Sequence, residues 1–305
     1  PGVVQPATGV QVGLLVARVT FDLSAVLTVG LSLLPMLVGV DRLAAAERIL
    51  AATRPVAVAS AALWSVAALV SLVLQAADYD PADTLSAGAV LAYVGRVGSG
   101  QALVIVAGLA LLHALLGVAT VRRGESVPAG LRGALALFTL LPLPVTGHAA
   151  DTAGGLHDVA LVSMELHVLG AVAWSGGLLA VIGAVAASRS LLSTTLPRFS
   201  TLATVSLLLV GVTGLVNGWL ELYLTPGVHW YTALFTTGYG QVLIGKMLCF
   251  SALAALGGSI RFRLLPLIAR HQRTGLVAWA TVELAVMGLA FGFAVVLTRA
   301  PVITS

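Results

Sequence analysis

Charge is what this chain has least of: 9% of its 305 residues are Asp, Glu, Lys or Arg, against about 25% in a soluble domain. That scarcity excludes a water-facing globule. Cysteine occurs once, at Cys249 inside an apolar run. One cysteine excludes a disulfide framework and a paired-thiolate metal site, and it reads as a small core residue. Also missing are a phosphate-cradling glycine loop, a dinucleotide fingerprint, a His-Glu-x-x-His pair and any Ser-His-Asp spacing. Chemistry of the soluble-enzyme kind has no foothold, and the chain is read as a non-enzyme. No signal peptide is evident, because the first apolar run is too long for one.

What is present is hydrocarbon. Hydrophobic residues make up 59% of the chain, and the mean hydropathy is +1.04. In a bilayer every backbone N–H and C=O must be satisfied within the spanning segment, so the unit to look for is a helix of about 20 apolar residues. Breakers divide the sequence into spans near 11–40, 55–76, 89–121, 130–147, 157–187, 199–222, 237–260 and 275–298. The expected fold is all-α, a polytopic membrane helix bundle of about eight transmembrane helices.

The linkers alternate in charge. Arg42, Arg48 and Arg54 occupy the first, Arg122, Arg123 and Arg132 the third, Arg189 and Arg198 the fifth, and Arg261, Arg263, Arg270 and Arg273 the seventh, while the intervening linkers hold no basic residue. The positive-inside rule places those arginines in the cytoplasm and both termini on the non-cytoplasmic side. The pI of 9.7 then reflects cytoplasmic turns facing anionic headgroups, so the partner is the lipid bilayer and not nucleic acid. The chain begins at Pro1, as a fragment or processed product would, and a further domain after Ser305 fits the same reading.

A charge near the bilayer centre costs about 2.5–3.5 kcal/mol on insertion scales and therefore needs a partner or a wet cavity. Arg18 and Asp22 are four apart on the first span and can neutralise each other on one helix face. Glu165, Lys246 and Glu283 fall roughly 12, 14 and 22 Å from the outer ends of their spans at about 1.5 Å per residue. Two readings stand: a polar cavity opening outward with Lys246 facing Glu165 or Glu283, or scattered ion pairs that only fix helix packing.

The histidines divide by depth. His148 ends the fourth span, and a short loop carrying Asp151 leads to His157 at the outer mouth of the fifth. Further along, Met164, His167, Ala171 and Trp174 share one helical face. His157 and His167 are about 15 Å apart on a straight helix, too far to ligate one ion, so an outer and a deeper site are envisaged. Imidazole and thioether suit copper, with a carboxylate at the mouth to collect the ion. Neutral imidazole also suits zinc or haem iron, and the bland reading is interfacial loop histidines with a packed, hydrogen-bonded His167. His113 lies in the inner half of its span and reads as a core histidine. His229 sits with Trp230 and Tyr231 in an interfacial belt composition. Glycines at 170, 176, 177, 211, 214, 218, 257 and 258 are expected to mark close helix approach.

Several of these residues carry a resemblance. Gly147-His148-Ala149, Leu166-His167 and Ala173-Trp174-Ser175-Gly176-Gly177-Leu178, followed by Arg198-Phe199-Ser200, Thr213-Gly214 and Gly240-Gln241-Val242-Leu243-Ile244-Gly245-Lys246, then Arg261 and Pro266, are similar to the motif run of the copper resistance protein D (CopD) family of inner-membrane proteins. The matching stretch covers about residues 140 to 270, within a single domain of divergent N-terminal helices over 1–135 and a CopD-like core over 136–298. Leu15 to Leu34 resembles the opening of actinobacterial proteins that continue into a CtaG-type cytochrome c oxidase assembly domain. The resemblance implies a multi-pass protein of the bacterial plasma (inner) membrane that handles copper, with His148 and His167 at motif positions and Lys246 at the family's intramembrane lysine. Four methionines and one cysteine leave no material for a thiolate relay.

The expected function is copper transport or delivery, with the ion collected by His148, Asp151 and His157 and passed to Met164 and His167. Cytochrome c oxidase or its assembly factors are the expected protein partners. The alternatives are a b-type haem protein using two of these histidines as axial ligands, and a non-catalytic membrane scaffold.

Overall fold

A computed structural model describes residues 8–39, 44–81, 86–123, 127–143, 156–224, 229–269 and 275–297. Those residues form helices and turns, with no strand among them. In chain order the helices are α1 (Thr8–Val38), α2 (Ala44–Tyr79), α3 (Ala87–Arg96), α4 (Gly98–Arg123), α5 (Ala129–Phe138), α6 (His157–Ala180), α7 (Arg189–Leu224), α8 (Trp230–Thr236), α9 (Gly238–Ser259), α10 (Leu265–Ala269) and α11 (Leu276–Leu297). Single π-helical turns, Val181–Val185 and Ile260–Leu264, extend α6 and α9. Among the described residues, seven helices are long and apolar enough to cross a membrane. The chain is an all-α, multi-pass bundle.

Two expected spans differ in form. The stretch expected as one helix over 89–121 is two, because Val97 is extended (φ −121°, ψ 122°) between α3 and α4. Gly100 lets the two close up: a Cβ there would stand 2.9 Å from the Tyr93 ring. Over 130–147 the helix α5 spans ten residues and gives way to turns through Leu143, while 144–147 lie outside the described residues. Pro142 and Pro144 explain the early end, since a proline withdraws an N–H and keeps the residue before it out of the α region. Conversely, α2 and α7 start well before Pro55 and Pro197 and run through them.

Helices α1 and α6 form the spine. One buried cluster joins Phe21, Val29 and Leu33 of α1 to Trp64 of α2, Val106 of α4, Leu140 in the turns after α5, and Val172 of α6. The other joins Leu34 of α1 to Trp174 and Leu178 of α6, Phe199 of α7, Leu253 of α9 and Met287 of α11. Backbone meets backbone between the two spine helices: a Cβ on Gly30 would fall 2.0 Å from the Gly176 carbonyl oxygen, and one on Gly176 would fall 2.4 Å from that of Val26. Such approach is available only to glycine and maximises dispersion contact where lipid offers no hydrophobic drive. Gly170, Gly211, Gly214 and Gly218 also meet neighbouring side chains as expected, whereas Gly257 and Gly258 face open space.

The arginine-bearing ends converge. Gly39 leaves α1 at φ +92°, and Arg198 of α7 donates from Nη1 to the carbonyls of Leu37 (3.3 Å) and Val38. This caps the carbonyl end of α1 with a cation. Arg261 of the second π turn donates to Ser200 and Thr204 of α7, and Arg54 of α2 and Arg132 of α5 line a recess with Pro35 of α1.

Candidate functional site

The seam between α6 and α7 holds the deeper expected site. His167 Nδ1 lies 3.0 Å from Thr213 Oγ1. Thr213 already donates its hydroxyl hydrogen to the Leu209 carbonyl, 2.6 Å away, so the hydrogen in the His167 contact belongs to Nδ1. That tautomer leaves the Nε2 lone pair for a ligand. Three residues earlier on the same face, Met164 Sδ lies 3.9 Å from Asn217 Nδ2. Ser163 Oγ donates to the Thr213 carbonyl at 3.3 Å, and Gly214 makes room for the imidazole, whose Cε1 is 3.3 Å from where a Cβ would stand. An oriented imidazole with a thioether three residues before it on the same helix face is the donor chemistry a soft metal ion such as copper takes.

The face expected to run from Met164 to Trp174 turns from one neighbour to another. Its outer part meets α7, whereas Trp174 points to α11 and donates from Nε1 to Glu283 Oε1 at 3.1 Å. Glu283 is 2% exposed. The expected pairing of Lys246 with Glu165 or Glu283 does not form, because Glu283 is engaged by an indole and Lys246 makes no ion pair with either carboxylate among the described residues. Lys246, on α9, instead lies within electrostatic range of His167. Arg18 and Asp22 do pair, Nε to Oδ2, at 2.9 Å.

His157 is the first residue of α6. His148 and Asp151 lie outside the described residues, so the outer collecting site does not enter the geometry. Among the described residues no group of three or more His, Cys, Asp and Glu side chains is arranged to hold a metal. His113, 4% exposed, bonds through Nε2 to Ser32 Oγ of α1 at 3.1 Å, and the recess beside it, lined by α1, α2, α4 and α5, has about 10 Å³ of room. A porphyrin does not fit there. His229 stacks on Tyr231 with centroids 5.9 Å apart, within the aromatic group expected.

Thr213 and Asn217 were not legible as site residues from spacing alone. Their signal was present: both are polar, four residues apart in an apolar run, and hence on one face of the helix that packs on α6.

No curated protein and no solved structure matches the chain. Two family descriptions do match: the copper resistance protein D-like N-terminal domain over residues 9–158, and copper resistance protein D over residues 193–297. The first extends the likeness to the N-terminal helices, which the motifs alone left weaker. The second contains Thr213, Asn217 and Lys246, while Met164, His167 and the Trp174–Gly177 motif fall between the two. Across α1 to α5 and across α7 to α11, this chain belongs to the copper resistance protein D family.

Proposed function

We propose that the protein carries copper at the membrane, as a transport or delivery component and not as an enzyme. The observation that supports this most is the His167 imidazole, held at Nδ1 by Thr213 so that Nε2 carries a lone pair, one helical turn along α6 from the Met164 thioether. Imidazole and thioether together favour copper(I), a soft cation that is bound without a charged ligand. His148, Asp151 and His157 are the residues we assign to collection of the ion at the outer face, where the alternation of basic linkers also puts both termini. The bacterial plasma membrane is the inferred location, and assembly of cytochrome c oxidase is the inferred use of the delivered copper.

The test is metal analysis of the purified full chain after exposure to copper(I) under reducing conditions, beside His148→Ala, His167→Ala and Met164→Leu. Near-stoichiometric copper in the native chain, lost on substitution of His167 and lowered on substitution of Met164, is the expected result. Copper retained unchanged by all three variants, or a native chain that neither binds copper nor moves it into sealed vesicles, overturns the reading. Oxidase copper content in cells carrying the His167 variant tests the assembly role separately.

A further inference from the structure

Helix α11 turns one narrow stripe toward the bundle. Its buried residues are Leu276, Ala280, Glu283 and Met287, spaced by four, three and four, so they share one face. Three of the four are apolar. Glu283 sits in the middle of the stripe and is 2% exposed. It lies seven residues past Leu276, at the end of α11 that follows Arg270 and Arg273 in the sequence, which puts it about 10 Å into the membrane from the basic side.

No cation neutralises it among the described residues. The elements packed on α11 are α6, α9 and the π turn that extends α9. Their charged groups are Asp158 and Glu165 on α6, Lys246 on α9, and Arg261 and Arg263 on the turn. None of these forms an ion pair with Glu283. Arg261 is bonded to Ser200 and Thr204 of α7, and Lys246 lies within range of His167. What Glu283 meets is the neutral indole hydrogen of Trp174, at 3.1 Å. A carboxylate without a counter-charge is strongly disfavoured in such a core, whereas the protonated acid stands there uncharged and still accepts the indole hydrogen. A glutamine would accept that hydrogen equally well. What the carboxyl group adds is a proton it can release and take back.

Trp174 stands two turns beyond His167 on α6, so one helix carries both the imidazole and the partner of the buried acid. A copper(I) ion crossing alone carries a positive charge through the membrane potential, and a proton crossing the other way cancels it.

We infer that Glu283 is a proton-exchanging group and that, on the copper reading above, each copper(I) that crosses is exchanged for one proton passing through this carboxyl group in the opposite direction. The acid O–H bond breaks as the proton leaves to water on one side and re-forms as a proton arrives from the other. Glu283 carries the proton and not the copper, and no net charge crosses.

The experiment places the full chain in sealed vesicles that hold a pH-sensitive dye, and copper(I) is added under reducing conditions. Copper uptake and internal pH are followed together, with the membrane potential clamped and a pH gradient imposed in either direction. The native chain should move protons against copper in equal number, and reversing the pH gradient should reverse its effect on uptake. Glu283→Gln should still bind copper in chelator competition and lose proton counterflow by about tenfold or more. Glu283→Asp keeps an acid and should restore counterflow with a shifted pH profile. Counterflow that survives in Glu283→Gln, or is lost equally in both variants, overturns the assignment. If Glu283→Gln fails to fold, the pH profile of Glu283→Asp decides, and a profile identical to the native one overturns it. A native chain that binds copper without moving it, or moves it without proton counterflow, overturns the exchange and leaves the copper reading standing. A chain that neither binds nor moves copper overturns both.

Discussion

Trp174 Nε1 donates to Glu283 Oε1 across 3.1 Å, tying α6 to α11 at a carboxyl group that is 2% exposed. The indole hydrogen has nowhere else to go in an apolar core. Glu283→Gln keeps an acceptor at that distance and should unfold within a degree or two of the native protein, about the scatter of a neutral change. Glu283→Leu leaves the indole orphaned and should lose about 1–3 kcal/mol. Thermal unfolding in detergent separates the two; equal midpoints for Gln and Leu would show that the hydrogen bond does not hold the helices.

Contact between α1 and α6 has no tolerance for a methyl group. Gly30→Ala would place its Cβ 2.0 Å from the Gly176 carbonyl oxygen and should destabilise by about 3 kcal/mol or more, because backbone and not a side-chain tip must move. Gly257→Ala is the internal control. It meets nothing within 4 Å and should be neutral or stabilising by up to about 1 kcal/mol through helix propensity. Yield of monodisperse protein and unfolding midpoint read both.

Thr213 orients the imidazole of His167. Thr213→Val removes the acceptor that fixes the imidazole tautomer and should weaken copper retention by about tenfold or more, as loss of an orienting partner does. Thr213→Ser should restore it. Competition with a copper(I) chelator measures the change, and equal retention in all three forms would leave His167 without an orienting partner.

Arg198 closes α1. Arg198→Met removes its hydrogen bonds to the Leu37 and Val38 carbonyls and should lose about 1.5–3 kcal/mol, the value of bonds to a charged group. Amide hydrogen exchange at the end of α1 should rise in the variant. Unchanged exchange would mean that Gly39 ends the helix unaided.

The membrane class and most spans were legible because bilayer insertion imposes one demand, apolar length, that composition reports directly. Helix starts were less so. Hydropathy and the prolines place the second span at 55, yet α2 begins at Ala44 and runs through Pro55, since one lost hydrogen bond does not end a helix held by its neighbours. The face bearing Met164 and His167 followed from spacing. What lay across from it did not, because register between α6 and α7 depends on Gly170, Gly214 and the side chains between them and not on period. Lys246 shows the same limit: depth along the helix placed it near Glu165, but rotation of α9 decides what it meets.

The glycine contact of α1 with α6 also sets an order of assembly. During synthesis α1 enters the bilayer well before α6 and can dock on α2 as soon as that follows, yet the backbone surface around Gly30 has no mate until α6 emerges. Until then that narrow strip faces lipid, and a chain halted before α6 is an open half-bundle. The chain is thus committed to its final shape by α6, so agents that delay insertion of that segment should expose the chain to membrane proteases for longer than delays anywhere downstream.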